Sequence, residues 1–397
     1  PNTRARGPVV RIRTSCPAHN CGGRCLLVAT VEDGRITRLD TDDRKEDDLA
    51  SPRLVACPRG RAYLQRQYHP DRLTQPLMRV GKRGEGRFEP ISWAEAFETA
   101  AAEIRRVRDT YGNGALFVPY GTGAYSNTNG SHLARRLFNC FGGCLDIDNS
   151  YSWACTNVAT PTVYGTRITG NQRQDWVNTR YLLMWGWNPA EMIDGTNTAW
   201  FVSQARKHGA RVVCIDPRKT PSAVGLADEW VPIRPGTDAA MMTAMVHVMI
   251  REDLVDRAFV STHCVGFDAA TMPAGAEGEE SYEDYVLGRR DGVEKTPGWA
   301  EAITGVSAAT IERLAREYAT AGPAMLMQGY GMQRRAYGEQ VVRAGCVLAA
   351  ITGNVGIPGG AASGLGLPAP DGGSRWLGFP VGENPYGAAI PVAAWSE

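Results

Sequence analysis

The sequence lacks an excess of either charge, and it lacks a long apolar run. Among its 397 residues, 43 lysines and arginines face 42 aspartates and glutamates, so the formal net charge is +1. This balance gives no electrostatic reason to expect a nucleic-acid partner. The longest apolar stretch, residues 239–250, is too short to cross a bilayer as a helix. Residues 1–15 are basic rather than apolar, which is unlike a signal peptide and fits either a cytoplasmic protein or a processed chain.

Three common catalytic or nucleotide motifs are also missing. The six histidines form no HxH or HExxH pattern, so no histidine-based zinc site is indicated. No GxxxxGK[ST] is present, which excludes a P-loop. The turn after a predicted strand reads GWNPAE instead of GxGxxG, so NAD or FAD bound in the usual way is disfavoured. A nucleotide-type ligand of this chain is therefore of another kind.

What the sequence does contain is a group of four cysteines near its N-terminus. Cys16, Cys21 and Cys25 lie in CPAHNCGGRC, and Cys57 follows in ACPRGR. Three thiolates from a tight loop and a fourth from a returning segment are the ligands that a [4Fe-4S] cluster takes. Structural zinc sites usually use two short pairs of cysteines, and a chain of this length does not need disulfides to fold. The spacing favours a cluster, with zinc and disulfides as the alternatives.

The pattern of apolar residues predicts a loop-rich beginning followed by α/β structure. A hairpin is expected with Asp33 and Gly34 at its turn, and a capping box from Ser92 to Glu95 is expected to open a helix to about Thr110. Beyond residue 178, strands alternate with helices, which is typical of a doubly wound parallel sheet. The predicted strands are 115–120, 181–187, 211–216, 229–233 and 324–330, the predicted helices are 197–208, 237–251 and 307–320, and 353–373 is predicted to be loop.

Three loops at the carboxyl ends of predicted strands carry side chains suited to a nucleotide. Ligands of doubly wound sheets bind at this edge. Asp216 suits a ribose diol, and Arg218 and Lys219 suit phosphates. Asp238 is suited to accept two hydrogen bonds from a guanine edge. Either aspartate alone is more simply a helix cap, but the three loops together favour a nucleotide. The loops are 186–191, 216–220 and 234–238.

Several segments resemble the dimethyl sulfoxide reductase family of molybdopterin oxidoreductases. They are NCGGRCLLVATVEDGRI, ACPRGR, HPDRLTQPLMRVGKRGEGRFEPISWAEA, IDPRKT, DEWVPIRPGTDAA, QGYGMQR and ITGNVGIPGG. The resemblance is to the catalytic subunit of the membrane-linked type and spans nearly the whole chain. It implies an α/β fold, with a small N-terminal iron–sulfur domain before doubly wound α/β domains. Family members are longer, so the chain resembles their N-terminal half, without the C-terminal barrel domain that completes the pterin site.

The resemblance implies three domains and two cofactors. The expected domains are a [4Fe-4S] domain at 8–60, a discontinuous pterin and active-site domain at 61–155 and 340–397, and a Rossmann-like nucleotide domain at 156–339. The cofactors are a [4Fe-4S] cluster on the four cysteines and a molybdenum or tungsten ion carried by two molybdopterin guanine dinucleotides. The residues expected to bind the dinucleotides are Trp187, Asn188, Asp216, Pro217, Arg218, Thr220, Pro235, Gly236, Asp238, Gln328, Gly329, Gly331, Gln333 and Arg334.

The resemblance also assigns residues around the metal. Ser152 falls on the position of the molybdenum ligand in NSYSW, and Cys155 is the runner-up. A departure is Ser150, which stands where the family has aspartate; the first cysteine spacing is also wider than in the family. Arg59 matches a basic residue between the cluster and the pterin, and Tyr120 matches a tyrosine near the metal. Without the resemblance, such residues would be read as ordinary turn, surface and packing side chains.

The implied activity is the reduction of an S-oxide or N-oxide by oxygen-atom transfer at molybdenum, with electrons entering through the [4Fe-4S] cluster. The implied partners are an iron–sulfur electron-transfer subunit and a membrane anchor subunit. Membrane association through them follows, either outside the cytoplasm after twin-arginine export or within it. A selenate or other oxyanion reductase and a molybdenum hydroxylase or dehydrogenase stay open within the same fold. A molybdenum-free electron-transfer subunit is the alternative from a different class.

Overall fold

The computed structural model describes residues 8–17, 21, 23, 25–119, 130–150, 152–167, 169–192, 195–363 and 380–392. The chain separates into two compact units, residues 1–148 with 376–397 and residues 149–375. Each unit has hydrophobic clusters of its own. The three domain ranges expected from the sequence stay a prediction.

The first unit opens with a three-stranded antiparallel sheet. Its strands are β1 (Val10–Ser15), β2 (Leu26–Glu32) and β3 (Arg35–Thr41), with β2 in the middle. Asp33 and Gly34 both have positive φ at the β2–β3 turn, which confirms the predicted hairpin. Two short helices follow, α1 (Pro58–Arg61) and α2 (Tyr63–Gln67).

The remainder of the first unit combines short strands with two helices. It contains the antiparallel pair β4 (Leu77–Arg79) and β5 (Phe88–Pro90), the helices α3 (Trp93–Tyr111) and α4 (Gly130–Asn139), and β6 (Asp146–Asp148) paired in parallel with Ala389–Pro391. The Glu95 N–H donates to Ser92 Oγ at 3.1 Å, which confirms the predicted helix start. The strand predicted at 115–120 is wrong, because Asn113–Ala115 is a 3-10 turn and Phe117 makes only an isolated bridge to Leu145.

The second unit is built on a five-stranded parallel sheet in the order β11–β10–β7–β8–β9, which confirms the predicted fold class. The strands are β7 (Tyr181–Trp185), β8 (Arg211–Ile215), β9 (Glu229–Val231), β10 (Ala324–Gln328) and β11 (Ala361–Ser363). Every residue of β7 and β10 is buried, as expected for central strands covered on both faces. β11 corrects the prediction of loop over 353–373, since it pairs with the edge that β10 leaves free.

Helices connect the strands and pack on the sheet. They are α5 (Ala154–Tyr164), α6 (Thr198–Lys207), α7 (Pro221–Gly225), α8 (Asp238–Arg251), α9 (Arg257–His263), α10 (Tyr282–Val286), α11 (Pro297–Thr304), α12 (Ala308–Thr320), α13 (Tyr330–Gln333) and α14 (Gly338–Ile351), with 3-10 turns at Arg173–Asn178 and Ala269–Thr271. The three helices predicted in this unit, at 197–208, 237–251 and 307–320, correspond to α6, α8 and α12 and are confirmed. Across the described ranges, no helix is long and apolar enough to span a membrane.

Candidate cofactor site

The segments that carry the four N-terminal cysteines come together at one end of the β1–β2 pair. Cys16 directly follows β1, and its N–H donates to the Cys25 carbonyl oxygen at 2.8 Å. Cys57 is the N-cap residue of α1. A methyl group added at Gly60 of α1 would lie 3.0 Å from Cys16 Sγ, so a glycine lets the returning segment approach the first cysteine closely.

The four thiols have the chemistry that an iron–sulfur cluster requires. In the described part of the chain none of the four is in a disulfide, which contradicts the disulfide alternative. The Gly23 N–H lies 3.4 Å from Cys21 Sγ, and such N–H donors stabilise cluster thiolates. Cys25 is buried together with Leu27 and Ala56. Within the described ranges, no three His, Cys, Asp or Glu side chains are grouped to hold a single metal ion.

Two further site residues, Arg59 and Tyr120, are predicted in the first unit. Arg59 lies on α1, two residues after Cys57, and its side chain is exposed. Its predicted position between cluster and pterin stays a prediction. Tyr120 lies outside the described residues, as does the glycine loop that follows it.

In the second unit, the predicted nucleotide loops lie side by side at the carboxyl edge of the parallel sheet. The Gly186 N–H donates to the Ile215 carbonyl oxygen, and the Gly329 N–H donates to the Trp185 carbonyl oxygen, both at 2.8 Å. Gly186 has a φ of 56°, and a Cβ at Gly329 would collide with the Gly186 carbonyl group. Glycine at both positions therefore lets neighbouring loops meet where ligands of such sheets bind.

The loops after β7 and β8 are joined by a polar network. Asn188 Nδ2 donates to Glu191 Oε2 at 2.6 Å, and Arg218 pairs with the same oxygen at 2.7 Å. The hydrogen bond from Arg218 lowers the pKa of the Glu191 carboxyl group. Asp216 Oδ1 accepts a hydrogen bond from the Arg218 N–H at 2.8 Å. The fold thus joins two predicted residues, Asn188 and Arg218, through Glu191, whose role the sequence pattern did not reveal.

Asp216 and Asp238 are not the N-cap residues of helices, which excludes the alternative that each aspartate is simply a helix cap. The N-cap of α7 is Thr220, whose Oγ1 accepts from the Ala223 N–H at 3.1 Å, and the N-cap of α8 is Thr237. Asp238 is only 5% exposed, and its Oδ1 accepts from Trp185 Nε1 at 3.0 Å. Burial raises the pKa of both aspartates. A buried carboxylate of this kind is suited to a ligand that donates hydrogen bonds.

Trp187 and Gln328 are among the predicted binding residues that are buried inside the unit. Trp187 is 1% exposed and meets Trp176 edge-on, with ring centroids 5.8 Å apart. Gln328 is fully buried, and its Nε2 donates to the Val342 carbonyl oxygen at 3.2 Å. A Cβ at Gly345 of α14 would lie 2.5 Å from this amide, so Gln328 packs the sheet against α14. The predicted residues that are exposed at the edge are Pro217, Arg218, Pro235, Gly331 and Arg334.

The backbone of Ser152, the predicted metal ligand, is fixed to the loop after β10. Gln333 Nε2 and Arg334 Nε donate to the Ser152 carbonyl oxygen at 2.7 and 3.0 Å. The next residue, Trp153, stacks on Tyr330 with ring centroids 5.8 Å apart. The Ser152 N–H donates to Ser150 Oγ at 3.3 Å, so the residue that departs from the family pattern supports this turn.

Cys155, the runner-up ligand, lies on the first turn of α5. Its thiol donates to the Arg335 carbonyl oxygen at 3.9 Å. Burial, followed by the nearby Glu339 carboxylate, raises the pKa of this thiol. Because metals bind the thiolate, this environment is less suitable for a ligand than that of a low-pKa cysteine.

A loop with three cysteines, a fourth cysteine on a returning segment and a ligand-binding edge on a parallel sheet are typical of a cofactor-dependent redox protein. Two family models match the chain: the molybdopterin oxidoreductase Fe4S4 domain over residues 10–69 and molybdopterin oxidoreductase over residues 72–392. The chain belongs to the molybdopterin oxidoreductase family, which confirms the resemblance found in its motifs. Membership gives the chain a molybdopterin cofactor and a [4Fe-4S] cluster.

Individual relatives agree with this assignment. The chain is 44% identical over 388 residues to the probable dimethyl sulfoxide reductase chain YnfF of Escherichia coli (strain K12), covering 97% of this chain and 48% of that protein. It is 43% identical over 391 residues to the dimethyl sulfoxide reductase DmsA of the same organism, covering 95% and 47%. The chain thus spans about half the length of the curated relatives it matches.

A solved structure shows the same fold. Acetylene hydratase from Pelobacter acetylenicus superposes with a TM-score of 0.64 over 87% of this chain and 44% of that one, at 24% sequence identity. The described residues also fit the two cofactors. In the first unit, Gly60 lets the segment of Cys57 approach Cys16, and in the second, Gly186 and Gly329 let neighbouring loops meet at the carboxyl edge of the sheet.

Proposed function

We propose that the chain is the N-terminal part of a catalytic subunit that reduces S-oxides or N-oxides by oxygen-atom transfer at molybdenum. The observation that carries this proposal is the attachment of Ser152 to the nucleotide edge through Gln333 and Arg334. A serine ligand fixed beside the loops of the dinucleotides is what the dimethyl sulfoxide reductase pattern requires. The names of the curated relatives support the same substrate class.

The residues of this chain would hold and orient the cofactor. When bound, the molybdenum centre supplies the two-electron chemistry that removes an oxygen atom from the substrate. Ser152 Oγ would serve as its protein ligand, and the two donors on the Ser152 carbonyl oxygen keep the turn from rotating. The stack of Trp153 on Tyr330 stiffens the same turn.

The loops at the carboxyl edge would bind the two guanine dinucleotides. Arg218 and Lys219 are the cations for phosphate groups, and Asp216 accepts hydrogen bonds from a ribose. The ion pair of Arg218 with Glu191 holds the guanidinium at this edge before a ligand arrives. Asp238 accepts hydrogen bonds from a guanine.

Electrons would enter through the cluster on Cys16, Cys21, Cys25 and Cys57, with Arg59 stabilising the charge of the reduced cofactors. The partners we propose are an iron–sulfur electron-transfer subunit and a membrane anchor subunit. Attachment to them would place the enzyme at the membrane, on its extracytoplasmic side after twin-arginine export. These assignments rest on the family resemblance.

Elemental analysis and a substrate panel test the proposal on the full-length protein. About one molybdenum per roughly four irons is expected by plasma mass spectrometry. Reduced viologen should then be oxidised by dimethyl sulfoxide or trimethylamine N-oxide faster than by selenate. Faster turnover of selenate would favour an oxyanion reductase, and oxidation of a reduced substrate would favour a dehydrogenase. Iron without molybdenum or tungsten, in protein from cells that make the cofactor, would contradict catalysis and favour an electron-transfer subunit.

A further inference from the structure

Arg335 is a cation at the carboxyl edge of the sheet that none of the interactions described above uses. Its side chain is exposed and makes no hydrogen bond or ion pair with another residue in the described part of the chain. Its neighbour Arg334 donates to Ser152, and Arg218 is paired with Glu191. The backbone of Arg335 is fixed, because its carbonyl oxygen accepts from the Gly338 N–H at 3.1 Å. An anchored backbone with an unpaired guanidinium is suited to a ligand.

The guanidinium group of Arg335 lies against the loop that leads into α8. Gly236 has a φ of 86°, and a Cβ at this position would collide with the guanidinium. Only glycine therefore permits both the left-handed turn and the contact. Asp238 follows two residues later, and the positive charge of Arg335 opposes the rise that burial causes in the pKa of Asp238. The two charged groups are neighbours without forming an ion pair.

One carboxylate oxygen of Asp238 accepts a hydrogen bond from a described side chain, and the other accepts none. Oδ1 accepts the indole N–H of Trp185 at 3.0 Å, which fixes the orientation of the carboxylate. No described residue donates a side-chain hydrogen bond to Oδ2. Asp238 is buried and Arg335 is exposed. The pair therefore offers a buried hydrogen-bond acceptor and an exposed hydrogen-bond donor at the carboxyl edge of the sheet.

We propose that Arg335 and Asp238 recognise two adjacent edges of one guanine base. Asp238 accepts hydrogen bonds from N1–H and the N2 amino group, and the planar fork of Arg335 donates to O6 and N7. Adenine lacks N1–H and the N2 amino group and carries an amino donor where guanine has O6, so it would leave Asp238 without its donors and offer Arg335 only N7. Arg335 thereby determines which nucleobase the site accepts. This inference rests on the proposed guanine dinucleotide cofactor.

Nucleotide analogues separate the two contacts. Full-length apoprotein from cells that do not make molybdopterin is titrated with GDP, 7-deaza-GDP, which lacks the N7 acceptor, and IDP, which lacks the N2 amino group. We expect the wild-type protein to bind GDP about tenfold more tightly than either analogue. Arg335→Ala should abolish the preference over 7-deaza-GDP and keep the preference over IDP. Asp238→Asn should do the reverse.

Two further variants serve as controls for effects on folding. Arg335→Lys keeps the charge but loses the planar fork, so it should bind GDP yet lose most of the 7-deaza preference. Arg180→Ala removes an arginine just before β7, at the opposite edge of the sheet, and should bind all three nucleotides like the wild type. A second readout is the GMP that acid hydrolysis releases per molybdenum from the holoenzyme, which Arg335→Ala should lower.

The outcomes distinguish the inference from the function on which it rests. Wild-type selectivity that persists in Arg335→Ala would overturn the role of Arg335 and leave the guanine cofactor intact. If the apoprotein binds no GDP, the holoenzyme decides. A wild-type GMP content in the Arg335→Ala holoenzyme would then overturn the role of Arg335. A wild-type holoenzyme that releases no GMP would overturn the guanine cofactor itself, and the inference with it.

Discussion

Gln333 Nε2 donates a hydrogen bond to the Ser152 carbonyl oxygen at 2.7 Å, across 181 positions of the sequence. Gln333 is 1% exposed, so this amide has little access to water. The same Nε2 also reaches the Tyr330 carbonyl oxygen at 3.0 Å. One buried side chain therefore ties the turn of the proposed metal ligand to the loop after β10.

Replacing Gln333 by leucine should loosen the Ser152 turn. The variant keeps the side chain's bulk but leaves Arg334 as the one side-chain donor to the Ser152 carbonyl oxygen among the described residues. A lost buried hydrogen bond costs about 1–3 kcal/mol. We expect a lower melting temperature and less molybdenum per protein. The control is Gln340→Leu on the exposed face of α14, where both quantities should stay at wild-type values. Unchanged molybdenum in Gln333→Leu would contradict the positioning role.

The two candidate metal ligands can be separated by substitution. Ser152→Ala should reduce oxide reduction to a small fraction of wild type and change the Mo(V) electron paramagnetic resonance spectrum, since the protein ligand is lost. Cys155→Ser should retain both the spectrum and most of the activity, because the buried thiol is held at the Arg335 carbonyl oxygen. The reverse pattern would make Cys155 the ligand and overturn the assignment of Ser152.

Asp238 should make the apoprotein less stable as the pH rises. Burial raises its pKa in the folded protein above the ordinary value of 3.8, so the folded state favours the protonated carboxyl group. Its contribution to stability is then greatest below pH 3.8 and is lost as the pH rises through the raised pKa. Asp238→Asn removes this loss, and its stability advantage over wild type in urea unfolding should grow as the pH rises from below 3.8 to neutral pH. A constant difference across that range would contradict the prediction.

Gly60 is expected to be essential for the iron–sulfur cluster. In an ordinary helix, replacing glycine by alanine is stabilising by up to about 1 kcal/mol. At this position the new methyl group would lie 3.0 Å from Cys16 Sγ, so Gly60→Ala should displace the thiol. We expect a loss of iron and of visible absorbance near 400 nm. Gly130→Ala, where an added Cβ meets nothing within 4 Å, is the matched control and should keep both.

The sequence predicts the elements whose signals are local. Ser92 and Glu95 form their backbone contact as the motif requires, and Asp33 and Gly34 turn the hairpin. The sequence predicts that β7, β9 and β10 each end two residues later than they do, because apolar residues such as Trp187 and Ile233 continue past the last paired residue. Gly186, for example, extends the apolar run that ends in Trp187, but its φ of 56° takes it out of the strand.

Other features depend on contacts that no local pattern contains. β11 has the sequence Ala-Ala-Ser, which has little preference for a strand, and it forms because β10 offers an unpaired edge. The roles of Glu191 and Arg335 depend on loops that only the folded sheet brings together. Motifs therefore predict which loops lie at the carboxyl edge, while the pairing of individual side chains there depends on the folded structure.

Asp42 should make cluster retention sensitive to acid. This carboxylate is 2% exposed and accepts hydrogen bonds from the Leu54 N–H at 2.8 Å and from the Arg44 guanidinium. The segment it holds continues to Ala56, whose N–H donates to Thr41 Oγ1 at 2.6 Å, directly before Cys57. The Arg44 hydrogen bond holds the pKa of Asp42 well below its ordinary value of 3.8.

Because the pKa of Asp42 is lowered on folding, its stabilising contribution is present above pH 3.8 and is lost as the pH falls through the lowered value. Asp42→Asn cannot pair with Arg44 as an ion at any pH, and it should lose iron at neutral pH, where the wild type keeps it. Asp43→Asn is the control, since Asp43 pairs on the surface with Arg11 and Arg13 and holds no part of the Cys57 segment. Iron content measured from pH 8 down to about pH 2 checks the prediction, because the contribution of Asp42 is lost only below pH 3.8. Equal iron in the Asp42 and Asp43 variants at pH 7 would mean that the cysteines, and not this carboxylate, fix the returning segment.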